Sequence, residues 1–244
     1  MLSAVILFTV FVTSVLSGIL GMAGGMILMA VLVSTLSVAT AMILHGAAQA
    51  TANASRAWFL RQHIHWAILP AYSIGAGIAL AGFTALTIIP LPGVVLILVG
   101  LFPWAARANI RLGGLNVLKP MTTIVCGGVV TSAQLLAGAS GPLLDVFYLR
   151  APLNRLEIVA NKALTQALGH ILKIIYYALL AGVGMAGELS IVFILLIMSI
   201  AIGGTRAGTW VLERWDDEQF QKISQIIILT IATICIAQGI CLLL

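Results

Sequence analysis

The chain has 244 residues, of which 61% are hydrophobic and only 8% charged, with a formal net charge of +5 and a mean hydropathy of +1.17. A soluble domain carries roughly 25% charged residues, so a soluble enzyme or scaffold is excluded. A nucleic-acid surface is excluded too, because the basic residues sit in short loops between apolar runs, where positive-inside bias accounts for them.

In chain order the apolar runs cover 2–20, 26–37, 41–60, 64–83, 88–104, 120–137, 142–149, 157–181, 189–203 and 222–244. At ~20 residues per crossing, this is an all-α polytopic membrane protein with about eight hydrophobic segments and no room for a soluble domain. Residues 2–20 lack a basic leader and a small-residue cleavage site, so they are not expected to be a signal peptide. Cys126, Cys235 and Cys241 lie within apolar runs without metal-ligand spacing and read as small core hydrophobes; no metal or cofactor is expected.

Two of the runs are broken by glycine. Gly21-Met22-Ala23-Gly24-Gly25 interrupts the first, and Gly138-Ala139-Ser140-Gly141-Pro142 interrupts a run in the second half. Charge decides how these breaks are threaded. The clusters Arg56/Arg61/His63/His65, Arg107/Arg111/Lys119, Arg150/Arg155 and Arg206/Arg214/Lys222 are assigned to the cytoplasm, while 34–41, 84–90 and 182–188 contain no Lys or Arg and are assigned outside. One full crossing over 120–149 would leave Arg150 and Arg155 outside. A re-entrant pair with its tip at Gly138–Pro142 keeps them inside. Applied to both halves, this predicts two repeats, 1–115 and 116–244, within one membrane domain. Each has a broken or re-entrant helix pair and three crossings, so the second is inverted and both termini are external. The competing arrangement is eight plain crossings with parallel repeats.

Each break is followed by a polar stripe on an apolar helix. His45, Gln49, Asn53 and Arg56 recur 117 residues later as Lys162, Gln166, His170 and Lys173. The spacing i, i+4, i+8, i+11 keeps four side chains near one helix face. Backbone at membrane depth must be satisfied or line a polar cavity, and a helix restarting there points free N–H groups and a positive dipole end into it, which favours an anion. Candidate substrate-binding residues are Gln49, Asn53, Ser140, Gly141, Thr165, Gln166 and His170, with Ser140 as N-cap and Pro142 in the first turn. The tips are Gly21, Gly24, Gly25 and Gly138. His45, Arg56, Asp145, Lys162 and Lys173 are candidates for supporting charge or for a coupling proton. Asn53 and His170 are expected to face each other across one midplane cavity.

The glycine-broken first helix, the Gln49/Asn53/Arg56 helix running into the Arg61–Trp66 loop, and the second-half Lys162-Ala-Leu-Thr-Gln166 with His170 and Lys173-Ile-Ile-Tyr176 resemble the sulfite exporter TauE/SafE family of permeases. The resemblance spans nearly the whole chain, although the first break is less glycine-rich than the family pattern. It implies 4+4 segments and movement of a small anion such as sulfite, sulfoacetate or thiosulfate across the cytoplasmic membrane, with lipid and anion as partners. Oligomeric state, transport direction and coupling ion stay open. A rival reading takes Gly138-Ala-Ser140-Gly141 with His170 as the nucleophile and base of a rhomboid-type intramembrane protease; a second rival is a passive anion channel.

Overall fold

The computed structural model describes residues 2–20, 23–108, 115–180, 190–212 and 217–244. Gly21, Met22, Arg111, Glu188 and Arg214, with the 182–188 connection, lie outside the described residues. The described chain forms ten α-helices: α1 Leu2–Leu20, α2 Ala23–Thr35, α3 Val38–Phe59, α4 Ile68–Leu86, α5 Pro92–Arg107, α6 Pro120–Ala137, α7 Gly141–Tyr148, α8 Arg155–Ile175, α9 Ile191–Leu212 and α10 Asp217–Cys241. A 3₁₀ turn at Arg61–His63 precedes α4, and a π-helical turn at Tyr176–Leu180 extends α8. The protein is a membrane-embedded helical bundle. α4, α6 and α9 are long and apolar enough to cross a membrane by themselves, while α1, α2, α5 and α10 are shorter apolar helices. The polar stripes dilute the hydropathy of α3 and α8; α3 is buried over most of its length, and α8 buries the face that carries Asn161, Thr165, His170 and Lys173.

Both glycine breaks fold the chain back on itself. In the first, Gly24 of α2 lies against the Thr13 carbonyl and Ser17 of α1, which a straight continuation could not bring together. Gly24 and Gly25, read from sequence as the tip, fall in the first turn of α2, where a missing side chain allows that close approach. In the second, Gly138 closes α6 in the left-handed conformation at φ 73°. α7 then returns until the Phe147 carbonyl accepts a 3.1 Å hydrogen bond from the Val117 N–H, just ahead of α6.

The basic loops gather at one end of the bundle. Asn161 of α8 donates to the His63 carbonyl at 3.3 Å and accepts from the His65 N–H at 3.0 Å, and His65 pairs with Glu157 at 3.1 Å. Arg107 donates to Gln225 at 3.0 Å. Trp58, Trp66, Trp104 and Trp210 are exposed near this same end, as an interfacial aromatic belt requires. At the opposite, uncharged end the Tyr176 hydroxyl donates to the Ile88 carbonyl at 2.7 Å and Gln238 donates to Ser34 at 2.8 Å.

Small residues set the helix contacts, since lipid supplies no hydrophobic drive between helices. Gly18 of α1 packs on Gly208 of α9, and Gly204 packs on Phe11 and Ser14, so these helices run in the same direction. Gly75 of α4 packs on Ile124 and Gly128 of α6, and Gly127 on Tyr72. α5 packs along α10, and α3 along α8.

Candidate functional site

α3 and α8 cross antiparallel through the middle of the bundle. A Cβ on Gly46 would come within 2.7 Å of Ile174 Cγ1, and Ala57 shares an apolar cluster with Ala160 and Ala163. The start of the α3 stripe therefore meets the end of the α8 stripe. Lys173, fully buried, places its ammonium 2.8 Å from His45 Nδ1 and donates to the Gly138 carbonyl at 2.9 Å. His45 Nε2 lies 3.0 Å from the Gly25 carbonyl. A carbonyl only accepts, so Nε2 carries the ring proton and Nδ1 accepts from the ammonium. One hydrogen-bonded chain thus joins the two folded-back hairpins: Gly25 carbonyl, His45, Lys173, Gly138 carbonyl.

His170 stands next to this chain. Its ring centroid is 5.5 Å from that of His45, and its buried Nδ1 has no hydrogen-bond partner among the described residues. Lys173 has no carboxylate partner among the described residues. Charging a buried lysine without a counter-ion is costly in a membrane interior, and the His45 nitrogen and the Gly138 carbonyl accept its hydrogens without supplying a counter-charge.

Each hairpin rests on the stripe of its own half. Gly25 lies in van der Waals range of the Gln49 amide. Gln134, one turn before the second break, donates to the Gln166 carbonyl at 3.4 Å and sits where a side chain on Gly169 would otherwise project. Ser140 occupies the N-cap position of α7 with Pro142 in the first turn, but its side chain makes no capping bond. Its buried hydroxyl has no partner among the described residues, as is true of Gln134 Oε1. Ser140 and His170 are therefore not hydrogen-bonded, so the nucleophile–base pair of a serine protease is not assembled.

The remaining sequence candidates are spread along the two stripes. Asn53 is buried and donates to the Gln49 carbonyl of its own helix at 2.9 Å, and it lies further towards the basic end than His45 does. Thr165 hydrogen-bonds the Asn161 carbonyl behind it at 2.9 Å. Lys162 forms an ion pair with Asp145, tying α8 to α7. Arg56 is half-buried with no ion-pair partner among the described residues. Gly141 opens α7, and Gly21 lies outside the described residues. Sequence reasoning missed Gln134, Asn161, Tyr72, Tyr148 and Thr131, all buried and polar. Only the 117-residue offset that maps Gln134 onto Ser17, also buried with an unpartnered hydroxyl, could have flagged one of them. No group of three His, Cys, Asp or Glu side chains suited to a metal occurs among the described residues.

A family model described as Sulfite exporter TauE/SafE matches residues 6–234. No curated protein and no solved structure matches the chain. A match over nearly the whole length places the chain in this family.

Proposed function

We propose that this member of the sulfite exporter TauE/SafE family moves a small sulfur oxyanion or sulfonate, of the sulfite, thiosulfate or sulfoacetate kind, across the cytoplasmic membrane by alternating access, with Lys173, His45 and His170 as its charge site. Family membership makes the protein a membrane permease of sulfur-containing anions rather than an enzyme. The observation that carries the finer reading is Lys173: a fully buried ammonium without a carboxylate, bonded to the backbone of one hairpin and, through His45, to the other. An anion is the missing counter-charge. The unpartnered His170 Nδ1 and Ser140 hydroxyl are free to meet its oxygens, with the α7 N-terminus behind Ser140 adding dipole stabilisation. Gln49, Asn53, Gly141, Thr165 and Gln166 flank the path. His170 can also take up a proton with the anion, which makes proton coupling the simplest linkage.

Two inverted repeats, 1–115 and 116–244, fit this reading. Exchanging the halves turns the α1–α9 packing into the α6–α4 packing and maps the α3–α8 and α5–α10 contacts onto themselves. Two re-entrant hairpins then place both termini outside, opposite the basic end. The joint between them is the element both sides must reach in turn.

The test is thermal stabilisation of the purified protein by sulfite, thiosulfate, sulfoacetate, sulfate, acetate and chloride, followed by counterflow of labelled thiosulfate in proteoliposomes. Stabilisation by the sulfur anions at least tenfold below the concentration needed for acetate or chloride is expected. Equal response to all six, or none, removes the proposal.

A further inference from the structure

A second polar cluster lies on α8 nearer the basic end, outside the charge site. Tyr72 of α4, Thr131 of α6 and Tyr148 of α7 are buried together with Thr165 of α8. The Tyr72 phenol faces the Thr131 hydroxyl and stands beside Cys126 and Tyr148, and the Tyr148 phenol faces the Thr165 hydroxyl and stands beside Asp145. Around them the packing is apolar: Val130, Leu144 and Phe147. The close approach of Gly127 to the Tyr72 backbone brings α4 near enough for these groups to meet.

Three of the four hydroxyls, on Tyr72, Tyr148 and Thr131, have no hydrogen-bond partner among the described residues. Thr131 is the telling one. Within these helices Thr51, Thr84, Thr123, Thr165 and Thr209 each donate to the carbonyl four residues back, the usual way a threonine hydroxyl is satisfied in a membrane helix. Thr131 forgoes that bond, as Thr205 of α9 also does, but only Thr131 lies beside two open phenols. Neither facing pair closes to a hydrogen bond, so three buried hydroxyls from three helices stay open in one apolar spot, which a ligand bridging them would satisfy.

We propose that Tyr72, Tyr148 and Thr131 form a second station for the oxyanion, between the Ser140 break and the basic end. This rests on the reading of the chain as an oxyanion permease. The station differs in kind from the charge site. Asp145 beside Tyr148 is paired with Lys162, so the station offers hydrogen-bond donors without net charge. Such a site lowers the cost of carrying an anion through an apolar layer without holding it tightly. The phenols are the exchange partners for water that the anion sheds on leaving Lys173.

The experiment uses Tyr72→Phe, Tyr148→Phe and the double variant in the full-length protein. Thiosulfate exchange across proteoliposomes and stabilisation of the purified protein by thiosulfate and by sulfite are both measured. The double variant is expected to exchange at least tenfold more slowly while the anion concentration giving half-maximal stabilisation stays within twofold of the unmodified protein. Exchange within twofold overturns the station, because the phenols then hold water or nothing. Loss of stabilisation together with exchange also overturns it, because the phenols then belong to one continuous site. If the double variant does not fold, Thr131→Val, which keeps shape and removes the hydroxyl, is read in the same way with a threefold or larger slowing expected. An unmodified protein stabilised by neither anion removes the charge site and the station together; a stabilised one with unimpaired variants removes the station alone.

Discussion

Lys162 and Lys173 lie on one helix, about three turns and ~16 Å apart, and are treated in opposite ways. Lys162, partly exposed, is matched by Asp145 on the neighbouring short helix. Lys173, completely buried, is given only a histidine nitrogen and a carbonyl. A lysine that serves packing in a membrane is neutralised, as Lys162 is, or kept near the interface. On the proposed function, a lysine left without a carboxylate at depth, with the backbones of two broken segments arranged around it, takes its counter-charge from an anion that comes and goes. The contrast separates a strut from a site on the same helix by charge balance alone.

The largest effect should come from removing the unbalanced charge. Lys173→Met is expected to abolish stabilisation by sulfite and thiosulfate and to lower exchange by two orders of magnitude or more. Losing two or three hydrogen bonds to a charged partner, at ~1.5–3 kcal/mol each, is ample for that. The same change should move the melting temperature of the anion-free protein only modestly, since the desolvation cost of a buried lysine is removed while the His45 nitrogen and the Gly138 carbonyl lose a donor. A variant that melts well below the parent and still responds to anion would make Lys173 a strut like Lys162, and the contrast would collapse.

A smaller effect is expected from Asp145→Asn, which makes Lys162 resemble Lys173. Both groups are partly exposed, so folding stability should change by no more than ~1 kcal/mol. Function should change more than stability: an unpaired cation beside Tyr148 would hold the anion longer. Tighter apparent affinity with a several-fold slower exchange rate is expected in the counterflow assay. Unchanged affinity and rate would mean that the anion does not pass Lys162.

Much of the fold was legible because long apolar runs and glycine breaks are local features, and the helices follow the hydropathy runs closely. Contacts within the site were less legible. The 117-residue offset equates His45 with Lys162 and Arg56 with Lys173, but the structure joins His45 to Lys173. An internal repeat aligns residues that correspond to each other, whereas an antiparallel crossing brings each residue to the opposite end of its counterpart's helix. Of the expected facing pair, His170 has its ring against His45, and Asn53 donates to the Gln49 carbonyl of its own helix, contacts that the repeat does not indicate. Gln134, Tyr72 and Thr131 carry no sequence signal of their role, because a single polar residue in an apolar helix looks the same whether it is satisfied or left open. The stretch Gly21–Gly25 brackets the interval between α1 and α2, but glycines in a helical first turn look like glycines in a break, so sequence alone does not separate Gly24 and Gly25 from it.

The gentlest change tests which compartment each lysine faces. Cys126 and Cys235 are buried and Cys241 is exposed at the uncharged end, so Cys241 is a natural reporter of that end. With Cys241 replaced by alanine, Leu118→Cys and Asn154→Cys report the basic end, where Val117 bonds Phe147 and Asn154 caps α8. Exchange should stay within about twofold in each, because neither side chain touches the stripes. An impermeant maleimide on intact cells should spare both new cysteines and should label Cys241 in the parent. That outcome puts the paired Lys162 and its phenols on the cytoplasmic side of the unpaired Lys173, so that cargo entering from the cytoplasm meets the neutral station before the charged one. Labelling of both new cysteines but not Cys241 reverses that order. Labelling of only one of the pair contradicts the folded-back second hairpin, and with it the placement of Gly138 against Lys173 on which the charge site depends.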